Sequence, residues 1–442
     1  MYSFKKKVLF HIISKSKNGC GIMNKKIIVF LGICLLFILG VAFGWYYFGE
    51  KNNLDSAKEY DYVILDKLSG LSLEEVEKYA LDKDIKLNIS YEYSLDISEN
   101  VVISQGIEEG TLIDKGGEVS VVISKGVVPS EVYKDNEVNE LGSVPIMMYH
   151  GIVNISSDET LYTGGNVDED GYNRTAEAFR EDLEFYYKRG YRMIKLSDYV
   201  DGKIDVEMGK SPIILTFDDG NENNFKVLGE KDGELIIDPD CAVGILEEFK
   251  KKYPDYGVTA TFFVNSGLFN QDEYNEKILK WLVDNGYDVG NHTMTHVDFK
   301  TIGIEEVKKE VGGLYQILDN IIPSKYVKII ALPFGSPYSR NHSNYESILN
   351  GNYLGVDYQT KAALRVGWEA EVSCFDKAFD PTYLKRIRAY DNKGVDFDID
   401  MNFRILESKK YVSDGDVNTI VVREEDKDAV SDNLGNLKVV TY

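Results

Sequence analysis

From residue 143 onward the sequence predicts an α/β domain, on two observations. Short apolar runs of strand character alternate with amphipathic helical stretches, the pattern of a parallel sheet covered by helices. Acids and histidines stand directly after the strands: His150 after "VPIMMY", Asp218 and Asp219 after "IILTF", His292 and His296 after "YDVGN". In an α/β barrel the side chains leaving the C-terminal ends of the strands converge on one mouth, so these five residues are expected to meet.

The elements follow in chain order. Residues 1–26 hold seven lysines and no acid. Residues 27–48, "IIVFLGICLLFILGVAFGWYYF", are uncharged and long enough to span a bilayer as a helix. The lysine-rich side predicts a cytoplasmic N-terminus, and Trp45, Tyr46 and Tyr47 close the stretch as an interfacial belt. A cleaved secretory signal ending near Ala42–Gly44 is the alternative. Both place the body outside the membrane, and the expectation is a single-pass protein of the cell membrane with an extracellular catalytic domain. Of the four cysteines only Cys241 and Cys374 lie beyond the span, too few for a disulfide framework.

Without the seven N-terminal lysines, 43 basic residues face 73 acidic ones, a net charge of −30. A body this acidic argues against nucleic acid as a partner, since phosphates require Lys and Arg.

Residues 56–126 form a small unit. Ser72-Leu73-Glu74-Glu75 is a capping box, and Leu73, Val76, Tyr79 and Ala80 make an apolar stripe behind it. Strands follow, the clearest being "EVSVVISKG" with alternating Val119, Val121 and Ile123. The order of helix, strands and glycine turns resembles a PASTA domain, a module that in several proteins associates with peptidoglycan and in others serves as a spacer. Residues 127–142 are polar and acidic with little periodicity and read as a linker. In residues 143–395, "TAEAFREDLEFYYKRG" is an amphipathic helix with Phe179, Leu183 and Tyr186 or Tyr187 on one face. Residues 396–442 read as a short β-rich extension.

The chemistry sits at the strand ends. "HTMTH" puts two imidazoles four residues apart, which on one helical turn would share a face and hold one ion. An Asp from another strand end completes a His₂-carboxylate set and leaves a position for water. Adjacent carboxylates leave a strand on opposite sides, so a division of labour is natural: one acid binds metal, the other takes a proton. The alternative for Asp219-Gly220 is a plain tight turn.

"TFDDG", "TATFFV" and "GNHTMTH", in that order, resemble the NodB-homology polysaccharide deacetylases (carbohydrate esterase family 4) over residues 143–395. The resemblance implies a distorted (β/α) barrel that removes acetyl groups from a glycan. It implies Asp218 as general base and Asp219, His292 and His296 as ligands of a divalent metal, commonly Zn2+. It further implies that Phe334 of "ALPFG" offers a backbone N–H to the oxyanion and that Trp368 of "RVGW" walls the acetyl pocket.

Three departures stand out. The family carries Arg where this chain has Ala331, and Asp where it has Gly367, two charges that orient the catalytic Asp. Losing both leaves no lone buried charge. Arg386 or Arg388 of "LKRIRAYD" is the candidate replacement. The family's late histidine, the acid for the leaving amine, is also missing, since no histidine follows Trp368. His150 and His342 remain, and His342 lies in a polar loop. "PIMMYH" resembles the opening of the circularly permuted branch, which includes the poly-N-acetylglucosamine deacetylases and supplies the acid from the front of the domain. His150 is therefore expected as general acid.

The function expected is metal-dependent N-deacetylation of a cell-envelope glycan, with peptidoglycan favoured by the PASTA-like unit and the anchor. A poly-N-acetylglucosamine substrate is the second expectation. A wall-binding or sensing protein whose barrel has lost catalysis is the third, resting on Ala331 and Gly367.

Overall fold

The computed structural model describes residues 62–442. They fall into two compact units that divide between Val128 and Pro129. The expected membrane span at 27–48 lies outside the described residues. Among the described residues no helix is long and apolar enough to cross a membrane.

In the first unit, helix α1 (Leu73–Lys83) begins with the expected capping box. The Ser72 hydroxyl accepts from the Glu75 backbone N–H, and the Glu75 carboxylate accepts from the Ser72 N–H at 2.8 Å. Strands β1 (Tyr62–Ile64) and β4 (Leu112–Asp114) pair antiparallel. A three-stranded sheet has β5 (Glu118–Ser124) at its centre, parallel to β2 (Lys86–Glu92) and antiparallel to β3 (Val102–Gln105). Val119, Val121 and Ile123 are fully buried while Glu118 and Ser120 are exposed, the period of two that the sequence shows. They pack with Val76, Ala80 and Leu68 into one core, each buried Val, Ile or Leu side chain contributing about 1.5–3 kcal/mol.

The expected linker, 127–142, is not a free tether. Pro129 already belongs to the second unit, and Ser130–Asp135 form helix α2. Glu140 is buried, and its carboxylate accepts from the Tyr411 hydroxyl (2.7 Å), the Val421 N–H (2.7 Å) and the Asp414 N–H (3.3 Å). A polar, aperiodic stretch looks the same in sequence whether water or protein satisfies its polar groups; here protein does.

The second unit is built on a curled parallel sheet. Its strands are β6 (Ile146–Tyr149), β7 (Tyr191–Met193), β8 (Ser211–Phe217), β9 (Thr261–Val264), β10 (Asp288–Asn291), β11 (Ile329–Ala331), β12 (Ala362–Leu364) and β13 (Ile387–Arg388). The order is β12-β11-β10-β9-β8-β6-β13, with β7 alongside the start of β8. A bridge between Leu364 and Leu384 joins the two edges and bends the sheet toward a barrel.

Alternate residues of each strand enter two different cores. Ile146, Ile214, Phe263, Ala331 and Leu364 pack on the inner face. Met147, Leu215, Phe217, Phe262 and Val264 pack outward under helices α3 (Ala176–Lys188), α4 (Ala242–Lys252) and α5 (Asn275–Asp284). Burial on both faces is why every residue of "SPIILTF" is buried and why the run is continuous rather than alternating. On α3, Phe179, Leu183 and Tyr186 face the core, and Tyr187 stacks on Tyr253 instead. Cys241 and Cys374 are both free, and the Cys241 sulfur caps α4 by accepting from the Gly244 N–H.

The C-terminal extension is also different from the β-rich expectation. It opens with helix α7, after α6 (Ile304–Ile321); α7 spans Ile399–Leu406, is N-capped by Asp398 and buries Phe403 and Leu406. A parallel pair, Thr419–Val422 with Lys438–Thr441, then adds Ile420 and Val422 to the inner core. It is part of the second unit rather than an appendage.

Candidate active site

The parallel register sets the positions. Tyr149 and Phe217 are partners at the ends of β6 and β8, and the Asp218 N–H donates to the Tyr149 carbonyl at 2.9 Å. His150 and Asp218 therefore leave adjacent strands at one level. Two strands beyond β8, the His292 N–H donates to the Val264 carbonyl at 2.9 Å, which carries His292 to the same end of the sheet. The inner-face alternation runs through Ile214 and Thr216 to Asp218 and through Ile146 and Met148 to His150, so both side chains enter the mouth.

After Asp218 the chain turns sharply. Asp219 has φ of +74° and Gly220 of +60°, and a Cβ on Gly220 would lie 2.0 Å from the Leu268 carbonyl oxygen. The stretch is thus both a tight turn and a site. The turn swings the Asp219 carboxylate to 3.2 Å from His292 Nε2 and 3.4 Å from His296 Nε2. One ligand atom from each residue lies within 4.8 Å of the other two.

"HTMTH" is not the helical turn the spacing predicts. Thr293 and His296 hold left-handed backbone, with φ of +67° and +56°. The Asn291 side chain accepts from the Thr293 N–H (2.8 Å) and the Thr293 hydroxyl from the His296 N–H (3.0 Å). Glu310 takes the Thr295 N–H and hydroxyl. These short polar side chains capture the donors that a helix would use. Left-handed backbone at a non-glycine residue costs about 1–3 kcal/mol and persists where the surroundings enforce it, typically at functional sites. Phe334, with φ of +58°, is a further instance, and its ring lies edge-on to His296 at 4.7 Å.

His292 shows what this cluster can hold. It is buried, and its Nδ1 lies 2.9 Å from the Ala331 carbonyl, which can only accept, so Nδ1 carries the proton. Nε2 is left buried with no hydrogen-bond partner and faces Asp219. That tautomer, oriented by a backbone carbonyl, is the one a metal-ligating imidazole adopts. One carboxylate and two imidazoles fit a zinc-type ion with a coordination position to spare.

The other half of the site is a buried ion pair. Arg386 is fully buried and donates to Asp218 from Nη1 and Nη2, both at 2.7 Å. Nη1 also reaches the Thr216 hydroxyl (3.2 Å), and Nε the Arg365 carbonyl (3.1 Å). Burial alone would raise the Asp218 pKa, but the guanidinium outweighs it and holds the carboxyl well below the usual carboxylate range. Of the two candidate arginines, Arg386 is the partner. Ala331 needs no replacement on its own strand, because the charge arrives from the residue just before β13, two strands from β8. Gly367 is explained as well: a Cβ there would lie 2.8 Å from the Arg386 carbonyl oxygen and 3.0 Å from its nitrogen. The backbone that carries Arg386 occupies the room an Asp side chain would need.

His150 is half-buried. Its Nδ1 is buried without a hydrogen-bond partner, and its ring meets Tyr172 edge-on at 4.9 Å. Burial lowers its pKa, against the pull of Asp218 and Asp219. Trp368 and Phe334 are each 54% exposed, so Trp368 is not a core tryptophan. His342 accepts from the Asn344 N–H through Nδ1.

Residues 205–353 match the polysaccharide deacetylase family profile, and residues 63–125 match that of the PASTA domain. A chitooligosaccharide deacetylase of Sinorhizobium fredii is 29% identical over 127 residues, which are 29% of this chain and 48% of that protein. One of Bradyrhizobium is 28% identical over 128 residues, again 29% of this chain and 48% of the relative. The chain thus spans about half the length of the curated relatives it matches. Among solved structures, a Streptococcus pyogenes deacetylase in complex with acetate is 20% identical, covers 57% of this chain and 93% of its own, and has a TM-score of 0.41. The matched segment contains Asp218, Asp219, His292, His296 and Phe334; His150, Trp368 and Arg386 lie outside it. Residues 205–353 belong to the polysaccharide deacetylase family, and residues 63–125 are a PASTA domain.

Proposed function

We propose that this chain is a metal-dependent N-deacetylase of a cell-envelope glycan, with peptidoglycan N-acetyl sugars as the favoured substrate. The observation that carries the proposal is the orphaned Nε2 of buried His292, facing Asp219 beside His296. Zn2+ bound by Asp219, His292 and His296 would acidify a water and polarise the acetyl carbonyl. Asp218, anionic at rest, accepts the proton of the attacking water through a lone pair not used by Arg386. His150, at the mouth against Tyr172, is assigned as the donor to the departing amine; burial favours its neutral form, so the proton it gives is one it first receives, the proton that Asp218 takes from the attacking water. The Phe334 N–H is assigned to the oxyanion and Trp368 to the wall of the acetyl pocket. Acetate and a free amino sugar are the products.

The chitooligosaccharide substrates named for the relatives and the PASTA domain support a β-linked N-acetylated glycan of the wall. The uncharged stretch 27–48 supports a cell-membrane anchor with the catalytic unit outside. Poly-N-acetylglucosamine is the second reading, favoured by the position of His150 at the front of the domain. Arg386 weakens the third reading, an inactive wall-binding or sensing protein, because the charge missing at Ala331 is present from another strand.

The test is acetate release from residues 129–442 loaded with zinc, with peptidoglycan and poly-N-acetylglucosamine side by side. Release that a chelator abolishes and zinc restores is expected, faster on peptidoglycan. No acetate from either substrate by protein carrying one zinc per chain would refute the deacetylase reading.

A further inference from the structure

Arg388 lies two residues beyond Arg386 and shares its side of β13, opposite Ile387, which packs outward. It is the register partner of Met148, two residues before His150. Its guanidinium sits over the Tyr390 ring at 4.0 Å and the Tyr172 ring at 5.3 Å. Tyr172 is the residue against His150, so Arg388 stands two ring contacts from the expected acid. The loop that brings Tyr172 there is close-packed: Gly171 has φ of +65°, and a Cβ on it would lie 2.7 Å from the Tyr390 Cβ. The Asp168 carboxylate fixes the same loop by accepting from the Tyr172 N–H at 3.0 Å.

What Arg388 lacks is an anion. Among the described residues it has no ion pair and no hydrogen-bond acceptor, and its Nε is buried and unsatisfied. Most arginines of this unit have carboxylate partners, Arg174 with Asp182, Arg192 with Asp255 and Arg386 with Asp218 among them. In a body with 30 surplus acids a partner is easily supplied. Arg365, just after β12, is also without one, but its guanidinium lies over the Tyr383 ring at 5.2 Å and it touches neither Tyr172 nor Tyr390 in any ring contact. The two tyrosine rings hold the Arg388 cation by cation–π contact and offer no acceptor to its N–H groups. A planar guanidinium with open N–H groups matches a carboxylate in shape and charge.

We propose that Arg388 is a substrate-binding residue that takes a carboxylate on the glycan, so that the preferred substrate is an N-acetylated glycan carrying an acidic group rather than a neutral one. The proposal rests on the deacetylase reading for the identity of the ligand, and its test is separate from turnover.

Binding to the full chain is measured by calorimetry with three oligosaccharides of equal length. One alternates N-acetylglucosamine with N-acetylmuramic acid, the second is the same with its carboxyls reduced to alcohols, and the third carries phosphate esters in their place. The expected result is that wild type binds the carboxylate form roughly tenfold tighter than the reduced form. Arg388→Gln should lose that preference and keep its affinity for the reduced form, and Arg388→Lys should retain part of it. Equal binding of carboxylate and reduced forms by wild type overturns the proposal, and that arm needs no variant to fold. Equal weakening of both forms in a folded Arg388→Gln overturns it too, showing a structural role through Tyr172. Tighter binding of the phosphate than of the carboxylate form overturns the carboxylate assignment. If the preference holds but no acetate is released, the deacetylase reading fails and Arg388 stands; if acetate is released without the preference, the reverse is true.

Discussion

The two halves of the mouth are built in opposite ways. The half proposed to hold metal, Asp219 with His292 and His296, comes from two strand-end turns inside the segment that matches the family profile. The half proposed to move protons, Asp218 with Arg386 and His150, joins one residue of that segment to two from outside it, 168 and 68 positions away in sequence. One half is local and strained; the other is assembled across the sheet by register. A cluster of ligands can be set by a short turn. A buried carboxylate needs a counter-charge, and the fold supplies it from whichever strand has room.

The largest effect that separates the halves is expected at His292. His292→Ala should remove the metal and reduce acetate release to background, with elemental analysis and acetate assay as the readouts. Asp218→Asn should also lose activity, by about 10²–10⁴, yet keep its metal. Loss of metal in Asp218→Asn would show that the two halves are one unit and break the comparison.

His150→Ala comes next. Turnover should fall by about 10²–10⁴ with metal content unchanged. An unaltered rate would remove His150 from the proton half and leave the amine's proton to another donor.

How much of this was legible in the sequence follows the same division. "TFDDG" and "HTMTH" carry their chemistry in adjacent residues, so spacing marks His292 and His296 as a pair and the family resemblance adds Asp219, although the turn that presents the pair is not the helical one the spacing predicts. Thr293 and Asn291 decide that turn through side-chain hydrogen bonds that spacing does not encode. His150 could be singled out because few histidines remained. Arg386 and Arg388 could not be separated, because both lie on the inner face of one strand. Only the packing of Gly367 against the Arg386 backbone, and the reach of the Arg386 side chain to Thr216 and Asp218, distinguish them. Glu140 was missed altogether: a buried acid satisfied by Tyr411 and Val421 has the same sequence signature as a solvated one.

Stability sharpens the comparison further. Arg386→Met leaves the Asp218 charge buried and unpaired, which should cost about 3–5 kcal/mol by chemical denaturation. A second change, Ala331→Arg, restores a guanidinium from the strand that carries it in the family. If counter-charge is what matters, the double variant should recover part of the lost stability and activity. If β13 alone can deliver the charge, Ala331→Arg will add a second buried cation problem and recover nothing. Residues 143–442 should likewise be less stable than 129–442, because the Tyr411 hydroxyl and the Val421 N–H lose Glu140, at about 1–3 kcal/mol for each unsatisfied group.

The smallest effect is in pH. The folded pKa of Asp218 lies below its unfolded value of about 4. The unfolded chain therefore binds the proton more readily, and the ion pair contributes stability that is complete above that value and is lost as pH falls toward the folded pKa. Asp218→Asn removes this contribution, so the gap in stability between wild type and variant should be constant near neutral pH and should narrow below about pH 4. The metal half predicts a different signature: protons compete with metal for the imidazoles, so metal occupancy should fall as pH drops, in a transition that lies above that of Asp218. Two acid transitions, one abolished by Asp218→Asn and the other by a chelator, would show that the halves titrate separately. A single transition sensitive to both would show that metal and ion pair are held by one cooperative element.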